Sequence, residues 1–194
     1  TGSSVKISML DAEVLYFSHL FGPSEANSLF LQLRQNIEWR QEQIKIYGKV
    51  HYLPRLTAWY GDPAKTYSYS GISITSLEWI EALLEIKRRI ESVSDYSFNS
   101  VLLNRYRNGS DGVSWHADDE PELGQNPVTG SVSVGEARPF QLKHKTLDEK
   151  HKIILENGSY LLMKGRTQHC WLHQIPKSKR VLGGRINLTF RLIA

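Results

Sequence analysis

The segment from Arg185 to Leu192 alternates without a break: Arg185, Asn187, Thr189 and Arg191 take one set of positions, Ile186, Leu188, Phe190 and Leu192 the other. A period of two marks a β-strand whose successive side chains project to opposite faces. One face therefore enters an apolar core. The other carries two guanidinium groups, which either face water or, if buried, need anions to match them. A dicarboxylate would satisfy both through charge-assisted hydrogen bonds. Ser100–Tyr106 behaves alike, with Asn104 and Tyr106 sharing a face. Such strands need a sheet with a core on one side and a polar cavity or solvent on the other.

The rest of the chain supplies that setting. Its 194 residues suit one domain (1–194), with residues 1–10 expected as a flexible tail or scar. A chain of this size buries roughly 70% of its unfolded surface. Ser24–Ile37 is expected as a helix with Ser24 as a possible N-cap, and Ser76–Ile90 as a second, ending in the basic trio Lys87, Arg88 and Arg89. Ile44–Leu53 reads as a hairpin around Tyr47-Gly48-Lys49, and Lys152–Leu155 and Tyr160–Met163 flank an Asn-Gly turn. Helices first and most strands later give an α+β class with an antiparallel sandwich or barrel. The single cysteine, Cys170, excludes a disulfide framework and fits a reducing compartment. No apolar run approaches the ~18 residues of a membrane helix, and no basic, apolar leader opens the chain. A net charge of +4 permits a polyanionic partner without requiring one.

Trp115-His116-Ala117-Asp118 holds the second chemical signal. In an extended segment residues i and i+2 project to the same side, so His116 and Asp118 can converge on one metal ion. A third ligand must come from elsewhere; His173 lies 55 residues beyond Asp118, and His169 rivals it by spacing. Two histidines and a carboxylate on one octahedral face leave positions open, as in non-haem Fe(II) oxygenases. A catalytic zinc would explain the ligands but not the arginines. Iron ligands with a dicarboxylate clamp point to 2-oxoglutarate.

Three runs carry a resemblance. Leu103-Asn104-Arg105-Tyr106, His116-Ala117-Asp118-Asp119-Glu120-Pro121 and Arg185-Ile186-Asn187-Leu188-Thr189-Phe190-Arg191 resemble the AlkB family of Fe(II)/2-oxoglutarate nucleic-acid demethylases. Pro54–Gly61, which contains Arg55, and Ser131–Gly135 are similar to segments of its animal DNA-repair members. The likeness implies a double-stranded β-helix (jelly roll) with N-terminal helices and a nucleotide-recognition hairpin. It implies His116, Asp118 and His173 as iron ligands, selecting His173 over His169. It assigns 2-oxoglutarate to Asn104, Tyr106, Arg185, Asn187, Thr189 and Arg191, with O2 as co-reactant. The other histidines (His19, His51, His144, His151) are expected at the surface.

The implied reaction is oxidative demethylation of 1-methyladenine and 3-methylcytosine in single- or double-stranded DNA, and in RNA, releasing formaldehyde, succinate and CO2. Tyr69 matches the family's stacking aromatic, with Tyr67 and Arg55 beside the substrate, and Glu120 matches an acid that reads the exocyclic amine. Ile46 and Tyr47 resemble a hairpin finger that fills the gap left by a flipped base. Lys177, Lys179 and Arg180 could hold phosphates, a solvated loop being the equal alternative. The expectation is a monomer without a membrane partner, inside the cell: cytoplasmic if prokaryotic, nuclear and cytoplasmic if eukaryotic. The alternatives are a catalytically silent nucleic-acid-binding module, or a relative acting on another substrate.

Overall fold

The computed structural model describes residues 3–63, 66–69 and 72–194, and the backbone alone for 66–69 and 72–74. In chain order the strands are β1 Val5–Ile7, β2 Glu13–Phe17, β3 Gln43–Ile46, β4 Lys49–Tyr52, β5 Leu56–Gly61, β6 Thr66–Tyr69, β7 Ile72–Thr75 and β8 Ser100–Tyr106. They continue with β9 Val113–His116, β10 Thr129–Gly135, β11 Arg138–His144, β12 Lys150–Leu155, β13 Ser159–Lys164, β14 Trp171–Ile175 and β15 Arg185–Arg191. The helices are α1 Pro23–Asn36, α2 Glu81–Ser94 and the single turn α3 Thr167–Cys170. A seven-stranded sheet runs β1-β2-β13-β10-β15-β8-β5 and a four-stranded sheet runs β12-β11-β14-β9. The two form the antiparallel sandwich that the strand pattern predicts, in the jelly-roll form that the resemblance implies.

β15 is central in the large sheet, and both its faces are covered. Ile186, Leu188 and Phe190 pack into the cluster that contains Leu29 and Leu33 of α1 and Leu83, Ile86 and Ile90 of α2. Shortening the fully buried Leu188 to Ala would cost about 2–5 kcal/mol. A second apolar cluster joins the two sheets through Leu161, Met163, Phe140, Leu142, Trp171 and Ile175. The polar face of β15 is buried as well: Arg185, Asn187, Thr189 and Arg191 are all under 10% exposed. Exposure to water is thereby excluded for these four.

Several expectations shift. α1 starts one residue early, with Pro23 in its first turn and Gly22, not Ser24, at the N-cap. α2 starts only at Glu81, because Leu77 bridges to Tyr60 and its N–H donates to the Trp59 carbonyl at 2.9 Å. Residues 76–80 are thus held extended, and the basic trio falls mid-helix. There Lys87, Arg88 and Arg89 pair with Glu91, Glu81 and Glu25. The turn at Glu156–Gly158 carries the chain between sheets, since β12 pairs with β11 while β13 pairs with β10 and β2. Val5–Ile7, expected in a tail, forms an edge strand on β2. The hairpin at Tyr47 is as expected: positive φ at Tyr47 and Gly48 gives the turn that matches strand twist.

Candidate active site

Antiparallel pairing places His116 of β9 directly opposite His173 of β14. Their rings lie 4.3 Å apart, edge to face. Asp118, two residues beyond His116, approaches both: its carboxylate oxygens lie 3.9 Å from His116 Nε2 and 4.0 Å from His173 Nε2. The Nδ1–H of His116 donates to the Ser114 carbonyl at 2.7 Å. That bond fixes the tautomer and leaves the Nε2 lone pair facing the cluster. His169, the rival by spacing, is exposed and accepts from the Asn126 N–H, so it takes no part.

Asp118 is held from two sides. Its backbone N–H donates to Gln168 Oε1 at 2.8 Å, and Arg191 donates to Oδ1 at 2.8 Å. Burial alone would raise its pKa, but the charge of Arg191 leads the interactions, its hydrogen bond among them, that outweigh burial and hold the carboxyl below its ordinary value. Burial, with His116 beside it, pushes the His173 imidazole down to about 3, so it stays neutral and able to donate a lone pair. Two imidazoles and a carboxylate are the donor set that suits Fe(II).

The cavity that opens on this cluster is walled by Asn104, Tyr106, Arg185, Asn187, Thr189 and Arg191, with Phe140, Met163 and Ile175 among its apolar residues. Arg185 is 1% exposed and stands 5.0 Å over the Tyr106 ring. One of its terminal nitrogens donates to Ser133 Oγ at 2.9 Å. Its Nε and other terminal nitrogen find no acceptor among the described residues, and burial pulls its pKa below the ordinary arginine value. A buried guanidinium with free donors in a cavity is a site that an anionic oxygen pair would complete. Asn187 donates to Ser131 Oγ at 2.7 Å and accepts from Thr189 Oγ1 at 3.0 Å, so its amide orientation is set.

A groove adjoins this cavity, lined by Ile44, Arg55, Gly112, His116, Glu120 and Lys177 among others. Glu120 borders both spaces, and its buried Oε2 has no partner among the described residues. Arg55 is buried, donating to Asn104 Oδ1 and the Gly112 carbonyl, each at 3.2 Å. Ile46 and Tyr47 stand at the exposed hairpin tip, outside the cavity. Tyr67 and Tyr69 lie on β6, and their side chains fall outside the described residues. Sequence reasoning missed Gln168, whose partner is a backbone N–H 50 residues away, and the serines of β10. The serines did carry a signal, because Ser131 and Ser133 alternate with Val132 and Val134.

A second cluster also brings its ligand atoms within 4.8 Å of one another: Asp11, His144 and Cys170. His144 is buried, against the surface position expected for it, because it ties two segments together. Its Nδ1 accepts the N–H groups of Thr146 and Leu147 at 3.2 and 3.0 Å, so its proton sits on Nε2 and points at Asp11 Oδ2, 3.0 Å away.

The family described as the 2OG-Fe(II) oxygenase superfamily matches residues 13–191. The chain is 37% identical over 188 residues to the DNA oxidative demethylase ALKBH2 of Bos taurus, covering 91% of this chain and 68% of that protein. It is 41% identical over 179 residues to the alpha-ketoglutarate-dependent dioxygenase alkB homolog 3 of Bos taurus, covering 87% and 62%. The solved structure of OsALKBH1 superposes with a TM-score of 0.67 at 15% identity, over 95% of this chain and 99% of that one, a likeness of fold. No helix among the described residues is long and apolar enough to cross a membrane.

Proposed function

Because this chain belongs to the 2OG-Fe(II) oxygenase superfamily, among its AlkB-like members, we propose that it removes N-methyl groups from alkylated bases in DNA by oxidation. Bound Fe(II), 2-oxoglutarate and O2 supply hydroxylation of the methyl C–H bond, coupled to formation of succinate and CO2, and the hydroxymethyl group leaves as formaldehyde. His116, Asp118 and His173 hold the iron. Arg185 holds the distal carboxylate of 2-oxoglutarate, with Tyr106, Asn104, Asn187 and Thr189 along its length. Arg191 keeps Asp118 ionised and borders the same space, so it serves ligand and cosubstrate together. The apolar wall excludes water from the reacting atoms.

In 1-methyladenine and 3-methylcytosine the methyl group sits on the pairing edge, so the base must leave the stack to reach this cavity. The groove past Arg55, Glu120 and Lys177 is its path, and the free Glu120 oxygen accepts from the exocyclic amine of a cationic base. On the resemblance alone, Tyr69 and Tyr67 are assigned to contact with that base. Lys177, Lys179 and Arg180 follow β14 and meet backbone phosphates. The exposed Ile46 and Tyr47 act as a wedge in duplex substrates. The enzyme works as a monomer inside the cell, on single- or double-stranded DNA and also on RNA.

One observation carries the reading: a two-histidine, one-carboxylate cluster shares a cavity with a buried arginine that has donors to spare. Mass spectrometry of methylated oligonucleotides incubated with Fe(II) and 2-oxoglutarate tests it, the expected product being the unmethylated base with one succinate per methyl lost. Methyl groups left intact on single-stranded and duplex substrates alike would overturn it. Replacing Ile46 and Tyr47 together by Ala should lower the duplex rate far more than the single-strand rate, since only a duplex has stacking to restore. An unchanged ratio in a variant of native thermal stability would refute the wedge.

A further inference from the structure

Arg138 opens β11 and is fully buried. Its hydrogen bonds go to backbone carbonyls rather than to a carboxylate. One terminal nitrogen donates to Asp111 O at 3.0 Å and Pro176 O at 2.8 Å, and the other to Asn108 O at 3.4 Å. It therefore spans the connection between β8 and β9 and the segment that follows β14. Those two segments are already pressed together: a Cβ on Gly109 would stand 2.7 Å from the Ser178 carbonyl, and one on Gly112 would stand 2.7 Å from that of Ile175. The backbone around the guanidinium has little room to rearrange.

Burying a guanidinium among carbonyls is expensive, and an apolar side chain could fill the volume. Besides those carbonyls Arg138 faces Tyr106, whose ring centroid is 5.6 Å from its guanidinium carbon. The Arg185 guanidinium stands 5.0 Å from the same centroid, and Arg185 is the cross-strand partner of Tyr106. Tyr106 thus rests against two guanidinium groups, an arrangement favoured by its ring quadrupole. The ring plane decides where the hydroxyl stands, and the ring is the surface on which Arg185 rests. Arg138 is not among the residues that wall the cavity, so it acts on a ligand there indirectly, with Tyr106 and Arg185 the wall residues its guanidinium faces.

We propose that Arg138 is a positioning residue for the cosubstrate, holding the Tyr106–Arg185 pair in the arrangement that receives the distal carboxylate. This rests on the reading that 2-oxoglutarate binds at Arg185. The test is calorimetric titration of 2-oxoglutarate into Mn(II)-loaded protein, with Mn(II) affinity measured separately without 2-oxoglutarate, for Arg138→Met, Arg138→Lys and Arg185→Met. Arg138→Met should bind 2-oxoglutarate roughly 10-fold more weakly, the scale typical of partners that orient a ligating group, with Mn(II) affinity unchanged. Arg138→Lys should fall between it and wild type. A folded Arg138→Met with wild-type 2-oxoglutarate affinity would overturn the proposal. So would Mn(II) and 2-oxoglutarate affinities falling together, the mark of a purely structural role. If Arg138→Met does not fold, Arg138→Lys is judged by the same two readings. Arg185→Met separates the layers: wild-type affinity there would sink the cosubstrate site itself, whereas loss in Arg185→Met without loss in the Arg138 variants sinks only the role of Arg138.

Discussion

Two clusters of ligating side chains lie among the described residues, His116/Asp118/His173 and Asp11/His144/Cys170, and the position of one proton separates them. In the first, His116 Nδ1 meets a carbonyl, must donate, and leaves Nε2 free to bind a metal. In the second, His144 Nδ1 meets two backbone N–H groups, must accept, and Nε2 keeps its proton for Asp11. Composition alone would rank the second higher, since it adds a soft sulfur ligand. The hydrogen bond on the far nitrogen decides otherwise. The second cluster works as a latch: with the bond from Trp171 Nε1 to the Leu10 carbonyl at 2.7 Å, it fastens the segment after β1 to the end of β11 and the start of β14.

The strongest attempt to break this contrast is to empty the first cluster and ask whether the second takes over. Asp118→Ala removes one of three ligands and the carboxylate that Arg191 bonds. Wild type should bind one Mn(II) per chain and turn over, and Asp118→Ala should do neither while remaining folded by circular dichroism. One metal retained per chain in Asp118→Ala would show that the latch binds metal after all. Co(II) gives a sharper reading, because a bound thiolate adds a charge-transfer absorption band. Neither protein should show one.

A smaller effect is expected from the support of the first cluster. Gln168→Leu keeps the volume but leaves the Asp118 N–H without its acceptor, at a cost of about 1–3 kcal/mol. Mn(II) affinity should fall roughly 10-fold, as for other groups that orient a ligand. Equal affinity would mean that Arg191 alone fixes Asp118. For the latch, His144→Gln should lower stability by about 1–3 kcal/mol, or roughly 2–12 °C in melting temperature for a chain of this size, without changing Mn(II) affinity. A loss of Mn(II) affinity there would tie the two clusters together.

The sequence made His116 and Asp118 readable because an extended segment carries them, with Asp118 just past the end of β9, while His173 came from the family resemblance. His116 and Asp118 are two apart on an extended segment, and Arg185 to Arg191 alternate along β15, so period-two reasoning reaches them directly. The α+β class was legible for the same reason. The second cluster was not, because its members come from a loop, a strand end and a one-turn helix, and nothing local links Asp11 to His144, 133 residues away. His144 looked like a surface residue because its partners are backbone N–H groups, which leave no mark in a sequence. The start of α2 was missed on similar grounds: a bridge between Leu77 and Tyr60 overrode a helical stripe that runs on through Leu77. Gln168 and Arg138 hold the site through backbone groups too.

The finest test of the contrast is Cys170→Ala. Cys170 is 9% exposed and packs among Phe140, Trp171 and Ile175, so in a latch its sulfur is a small apolar filler. Replacing it removes one buried sulfur, expected to cost no more than about 1 kcal/mol, at the small end of single-residue effects. If the cluster were a metal site, the same change would remove its softest ligand and cut Zn(II) affinity steeply. The two readings therefore diverge in Zn(II) binding even where they agree on stability. The comparison is best made in the Asp118→Ala background, where the first cluster cannot compete for the ion. There Zn(II) titration should be the same with and without Cys170, since the Nε2 proton of His144 already excludes a metal. A drop in Zn(II) affinity on losing the thiol would mean that the metal displaces that proton, and that the backbone contacts to Nδ1 do not fix the tautomer.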